Sequence, residues 1–359
     1  MSYIDNDTTC CSVRSQWFLT LLLILMAACS DHKGIETEEQ NKPVVILDTD
    51  IASSTDDLVL LSSLYHLAEA NTIRLAAVMI NRNGEVNAKM ADIMNTYYNH
   101  PEVKIGVTHS GPENATVWID YWKMCEPGLF DDEPTFPRTW SDAEISRLPD
   151  AVKLYRKILS RSRDGEVVLF SVGFANNLAR LLESQPDEYA PLDGVELVRQ
   201  KVQAIHLQAG SYGQVKQPDY NFQSDPQSAM TLIDKCPAPM YFSPQEAGDL
   251  FNYLPADVLA DLEAAGLTDS PLYHVYRHHP CDEGQRMWDV MTLLGWLHPE
   301  HFHLHGPYDT SLSEEMILSY NPPQPSSNRY VLFPDPNATD TLMGLIRKYC
   351  TGHTVLRDK

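Results

Sequence analysis

Positive charge is what this chain most lacks. Its 27 lysines and arginines face 49 acidic residues, for a formal net charge of -22. Such a surface repels phosphate backbones, so nucleic acid is excluded as the expected partner, and an anionic membrane surface with it. The chain is also short of long apolar runs. Its most apolar stretch, residues 17–28, has twelve residues, well under the roughly 20 that a spanning helix needs. Cysteine is sparse and unpatterned: seven residues, with no CxxC pair and no zinc-ligand spacing. No internal repeat or long low-complexity run interrupts 42–355. What remains is a 359-residue chain with an ordinary hydrophobic fraction of 43%, enough for one large domain or two small ones.

The apolar stretch 17–28 follows Arg14 and ends in Ala27-Ala28-Cys29. It suits the hydrophobic region of a secretory signal, and the small residues before Cys29 resemble a bacterial lipobox. The expected organisation is a signal over 1–28, lipid attachment at Cys29, a polar tether over 29–41 and one domain over 42–355. The chain would then be exported and anchored in the cell envelope, touching the membrane only through its lipid. Cys125, Cys236, Cys281 and Cys350 would remain in the body, either as isolated buried thiols or partly paired.

Within 42–355, short apolar runs alternate with helical patterns. Strands are expected at 44–47, 75–80, 103–107, 167–172, 202–208 and 240–243. Helices are expected at 57–70, 86–98, 151–161, 177–184 and 226–234. That alternation implies a mostly parallel α/β sheet. Two stretches, 113–140 and 268–286, read as irregular insertions of the kind that form binding loops.

The first strand runs straight into Asp48-Thr49-Asp50 and then Asp56-Asp57. Four carboxylates within ten residues repel one another unless a positive charge lies among them. Ligands bind at the carboxyl ends of strands in open α/β sheets, and hard oxygen donors there suit Ca²⁺ or Mg²⁺. The competing reading is a polar loop in which Asp56 or Asp57 opens the next helix.

Four further segments join this one. They are Leu75–Asn83, ending in Asn81-Arg82-Asn83; Val172-Gly173-Phe174-Ala175-Asn176-Asn177; Asp219-Tyr220-Asn221 followed by Asp225-Pro226; and Arg286-Met287-Trp288-Asp289. In this order they resemble the inosine–uridine-type nucleoside hydrolases, over roughly 42–350. The six-residue step from Asp50 to Asp56 is that of a longer-spaced subgroup. That subgroup carries Gly, Asn and Asp where this chain has Ala52, Ser53 and Ser54.

The resemblance implies an open, mostly parallel sheet with helices on both faces and a Rossmann-like core. It also implies Ca²⁺ held by Asp50, Asp57, the Asn176 carbonyl and Asp289. Asp50 would be the catalytic base, and the substrate a small ribonucleoside gripped by Asp56, Asn83 (or Asn81), Asp219 and Asn221. Asp225 reads as a helix cap. The family's protonating histidine before the last aspartate is replaced by Trp288, which could stack on the base. His206, His274, His278 and His279 are the other candidates for a leaving-group acid. Relatives are often homo-oligomers. The alternative is a surface lipoprotein of the same fold that binds nucleoside or ribose without turnover. A haloacid-dehalogenase-type phosphatase also uses Asp-x-Asp, but it needs Thr or Val where this chain has Ala52.

Overall fold

The computed structural model describes residues 42–52, 54–112, 135–279 and 283–352. The signal, Cys29, the tether, most of the 113–140 insertion, Cys125 and Cys281 lie outside the described residues. No described helix is long and apolar enough to cross a membrane.

The described residues form eleven strands: β1 Val44–Thr49, β2 Arg74–Ile80, β3 Lys104–Val107, β4 Val167–Ser171, β5 Val202–Gln208, β6 Met240–Ser243, β7 Asn252–Tyr253, β8 Gln285–Arg286, β9 Phe302–Leu312, β10 Leu318–Asn321 and β11 Arg329–Pro334. Nine of them form one sheet in the order β10-β9-β11-β6-β5-β4-β1-β2-β3, while β7 and β8 pair separately. From β3 across to β11 every pairing is parallel. Only β9 and β10 are antiparallel additions at one edge.

All six residues of β1 are buried, as expected of a central strand covered on both faces. Alternate residues feed two cores. Val45 and Leu47 pack with the helices Asp56–Glu69, Glu85–Tyr97, Val290–Leu297 and Thr339–Thr351. Val44 and Ile46 pack with Ala151–Arg161, Asn176–Leu182 and Pro226–Lys235. The expected mostly parallel sheet with helices on both faces is therefore present. One expectation needs correction: 268–286 is not wholly irregular. It holds the helix Pro271–Arg277, whose cap Ser270 accepts from the Tyr273 amide at 3.1 Å and whose first residue is proline. Of the four cysteines in the body, Cys236 and Cys350 are buried free thiols.

The strand order reverses direction between β1 and β4. The chain winds outward through β2 and β3 on one side and through β5 and β6 on the other. A crevice opens at the carboxyl ends of the strands at such a switch point, where α/β folds bind ligands. The loops after β1 and β4 meet there. Gly173, just after β4, makes this possible: a Cβ on it would stand 2.6 Å from both the Asp50 amide nitrogen and the Asn81 Oδ1.

Candidate active site: an acidic cluster at the switch point

The helix Asp56–Glu69 begins directly after the β1 loop, which places Asp56 and Asp57 in its first turn. Asp289, from far along the chain, sits at the start of the helix Val290–Leu297, with its side chain making no capping bond. Two helix N-termini thus converge, each offering a partial positive charge to carboxylates. Carboxylate oxygens of Asp56, Asp57 and Asp289 all lie within 4.8 Å of one another, and all three residues are buried. The Asp289 amide donates to Asp56 Oδ2 at 3.1 Å. Asp56 Oδ1 accepts from Ser54 Oγ and, at 3.3 Å, from Gln285 Nε2. Asp57 Oδ1 accepts from Thr49 Oγ1.

Burial pushes the Asp56 carboxyl up to about 6. Burial, then the charges of Asp50 and Asp56, holds Asp57 well above the usual carboxylate range. Asp289 is raised by burial, then by Asp56, Asp57 and Asp50. Asp50 stands at the edge of this group, and its carboxylate pairs with Arg82 at 3.6 Å. The Arg82 guanidinium is almost fully buried and lies 5.4 Å from the centre of the Phe174 ring. One arginine among four carboxylates leaves a large negative excess. The donor set fits a hard divalent cation.

Beneath the loop, Asp48 is fully buried. It accepts from Tyr155 Oη at 2.7 Å, Asn81 Nδ2 at 2.7 Å and Asn177 Nδ2 at 3.4 Å. Burial still raises its carboxyl to about 7. Ala52 has φ of 78°, in the left-handed region that favours glycine. It stands where the longer-spaced motif carries glycine, so the sequence departure has a local conformational cost.

The fold has counterparts in solved structures. The chain is similar to the purine-preferring ribonucleoside hydrolase of Gardnerella vaginalis, at 16% identity and TM-score 0.62, over 86% of this chain and 98% of that one. It is similar to the inosine-uridine preferring nucleoside hydrolase of Bacillus anthracis, at 13% identity and TM-score 0.59, over 86% and 99%. The chain has the nucleoside hydrolase fold. The type III effector protein XopQ, solved with adenosine diphosphate ribose, is also similar, at 14% identity and TM-score 0.61, over 91% and 99%. No protein-family model matches the chain, and neither does any curated protein.

On this nucleoside hydrolase frame the remaining expected residues take definite places. Asp56 joins Asp57 and Asp289 in the carboxylate cluster rather than standing apart from it. Asn83 is half-buried after β2, and its amide donates to the Pro112 carbonyl at 3.0 Å. Asn81 is fully buried; its Nδ2 is held by Asp48, and its Oδ1 has no hydrogen-bond partner. Asn176 opens its helix, and its Nδ2 donates to the Asn81 carbonyl at 2.9 Å, tying the β4 loop to β2. Asp219 caps a short helix through the Phe222 amide at 2.9 Å and also accepts from the Gly210 amide at 2.7 Å. Asn221 donates to Gln208 Oε1 at 3.0 Å. Asp225 caps the helix Pro226–Lys235.

Trp288 is half-buried; its Nε1 donates to Asp249 at 2.8 Å, and its backbone packs on Gly248. Among the histidines, His206 is excluded as an acid. It is buried between Phe170 and Tyr241, and burial drops its imidazole to about 3. His279 stacks on Tyr276 at 5.4 Å, and Tyr276 Oη receives a hydrogen bond of 3.0 Å from Thr55, beside Asp56.

Sequence reasoning missed Arg82, Gln285 and Tyr276. Arg82 lies within Asn81-Arg82-Asn83, and its place between two asparagines at a strand end was the available signal. Gln285 and Tyr276 carry no local signal, because their partners lie 221 to 230 positions away.

Proposed function

We propose that this protein hydrolyses the N-glycosidic bond of a ribonucleoside to free base and ribose. The observation that carries the reading is the gathering of Asp56, Asp57 and Asp289 beside Asp50 at the switch point of this fold. The cation would be Ca²⁺, which takes hard oxygen donors such as the carboxylates gathered here. Asp50, Asp57 and Asp289 hold it with the Asn176 carbonyl, and Asp56 either shares in this or meets the ribose. When bound, the ion supplies Lewis acidity that makes a water easier to deprotonate.

Asp50 takes that water's proton, with Arg82 fixing the orientation of its carboxylate. The sugar is positioned by Asp56, Asp219 and Asn221 together with one asparagine of the β2 end. The unpaired, buried Oδ1 of Asn81 favours that residue over Asn83. Holding the ribose in one orientation lowers the barrier by removing motional freedom before reaction. Trp288 forms part of the base-facing wall, and His279 is the histidine tied to the acid loop.

A lipid on Cys29 holds the domain to the cell envelope, and the domain begins after the 29–41 tether. Metabolic labelling with palmitate checks Cys29 directly. The test of function is a ribonucleoside panel with purified 30–359 and Ca²⁺, reading free ribose. Release that vanishes with chelator and in Asp50→Asn supports the proposal. Tight nucleoside binding with no turnover would establish the binding-lipoprotein reading instead, for which the Arg82 pairing of Asp50 is the supporting observation.

A further inference from the structure

A second group of metal-type donors lies away from the acidic cluster. The helix Val290–Leu297 ends at His298, and a single turn, Pro299–His301, leads into β9. Backbone bonds fasten this turn at both ends. The His298 amide donates to the Leu294 carbonyl at 2.8 Å, the His301 amide to the His298 carbonyl at 3.0 Å, and the Asp335 amide to the His301 carbonyl at 2.9 Å. The side chains of His298, Glu300 and His301 converge on one side. Their donor atoms all lie within 4.8 Å of one another. His298 Nδ1 is 3.2 Å from Glu300 Oε1, and His301 Nε2 is 3.9 Å from the same oxygen.

Tetrahedral zinc with bonds near 2.1 Å needs donors about 3.4 Å apart, so small side-chain rotations close the set. His298 is prepared for this by its other nitrogen: Nε2 lies 2.8 Å from Tyr349 Oη. A proton held there leaves the Nδ1 lone pair facing the cluster. A partner on the distal nitrogen is the usual way that a metal-binding imidazole is oriented. The three side chains are partly exposed, so an ion reaches them from solvent.

We infer that His298, Glu300 and His301 form a second metal site, selective for an imidazole-preferring ion such as Zn²⁺, with water in the fourth position. Two nitrogens and one carboxylate suit Zn²⁺, Cu²⁺ or Ni²⁺ and not Ca²⁺. The site therefore differs in metal class from the all-oxygen cluster. It also pins the end of the helix that Asp289 begins.

The test titrates Zn²⁺ into the full chain at pH 7.5 by calorimetry, with excess Ca²⁺ present to fill the acidic cluster. One equivalent should bind, and weaken at least tenfold in His301→Ala and again in Glu300→Gln. Tyr349→Phe should keep the equivalent and weaken it, as loss of a supporting partner does. Cu²⁺ at the same site should show two nitrogen ligands in its electron paramagnetic resonance spectrum. Absence of zinc binding would overturn the inference and leave His298–Glu300 as an ion pair. An equivalent whose affinity is the same in both His301→Ala and Glu300→Gln would place the ion elsewhere and overturn it too. Melting curves of the variants check that the fold is kept.

Discussion

Stripping divalent ions from the protein should make it less stable as pH rises, and restoring Ca²⁺ should remove most of that loss. The sign follows from the raised carboxyls. A folded-state pKa above the unfolded one means that folding takes up protons. That stability is complete below the unfolded value near 4 and is lost as pH climbs through the folded value. Asp56, moved from its ordinary 3.8 to about 6, accounts for about 3 kcal/mol at ~1.4 kcal/mol per pH unit. Asp57 and Asp289 act in the same direction. For a domain of this size, 3 kcal/mol is a fall of about 6 °C in melting temperature. An ion present at a thousandfold over its Kd returns about 4 kcal/mol.

The assay is thermal unfolding of chelator-treated protein at pH 5, 6.5 and 8, with and without Ca²⁺. The double variant Asp57→Asn, Asp289→Asn serves as the control. It keeps Asp48 and the burial-raised Asp56 but loses the raised carboxyls of Asp57 and Asp289, so its pH slope should be flatter by their share and its response to Ca²⁺ absent. A chelated wild type with the same slope as the double variant, or a Ca²⁺ shift of equal size in both, would refute the argument that these carboxylates repel until an ion separates them.

Asp50→Asn should cut ribose release at least a thousandfold in protein that circular dichroism shows to be folded, since an amide is a poor proton acceptor; a rate within about tenfold of wild type, ~1.4 kcal/mol, would take Asp50 out of the reaction. Gly248→Ala should destabilise the fold by about 1–3 kcal/mol through overpacking and weaken Ca²⁺ binding, because its Cβ would meet Trp288 Cα at 2.4 Å beside Asp289; unchanged melting and unchanged calcium affinity would contradict the packing. Ala52→Gly should stabilise the protein by about 1 kcal/mol, relieving the left-handed backbone at φ of 78°, and a loss in urea unfolding would show that no strain was there. Trp288→Ala should raise the KM for nucleoside about tenfold, the worth of ~1–3 kcal/mol of base stacking; a lower melting temperature with KM unchanged would assign Trp288 to packing alone.

The first two-thirds of the fold were legible because each parallel strand is a short apolar run followed by a turn and a helical pattern. Val44–Leu47, Leu75–Ile80 and Val167–Ser171 are buried on both faces, and nothing polar interrupts them. The last third was not. β9 lies at the sheet's antiparallel edge with most residues exposed, so Phe302-His303-Leu304-His305 has no apolar run to betray a strand. The helix Pro271–Arg277 did carry its signal, a serine cap followed by proline, but it was hidden among histidines and tyrosines. In the site, Asp56 and Asp57 were readable from local spacing. Asp289 was not; only the resemblance placed it, because nothing near residue 289 says that it folds against residue 56. Arg82 was visible as a residue but not as the counter-ion of Asp50, since strand adjacency of β1 and β2 decides that pairing.

The acidic cluster joins residue 57 to residue 289, more than two hundred positions apart in the chain. Neither holds a cation pocket alone: Asp56 and Asp57 without Asp289 are an ordinary helix start, and Asp289 without them is a single carboxylate at the start of another helix. A cation site that needs both would exist only once the helix Val290–Leu297 has docked beside the helix Asp56–Glu69.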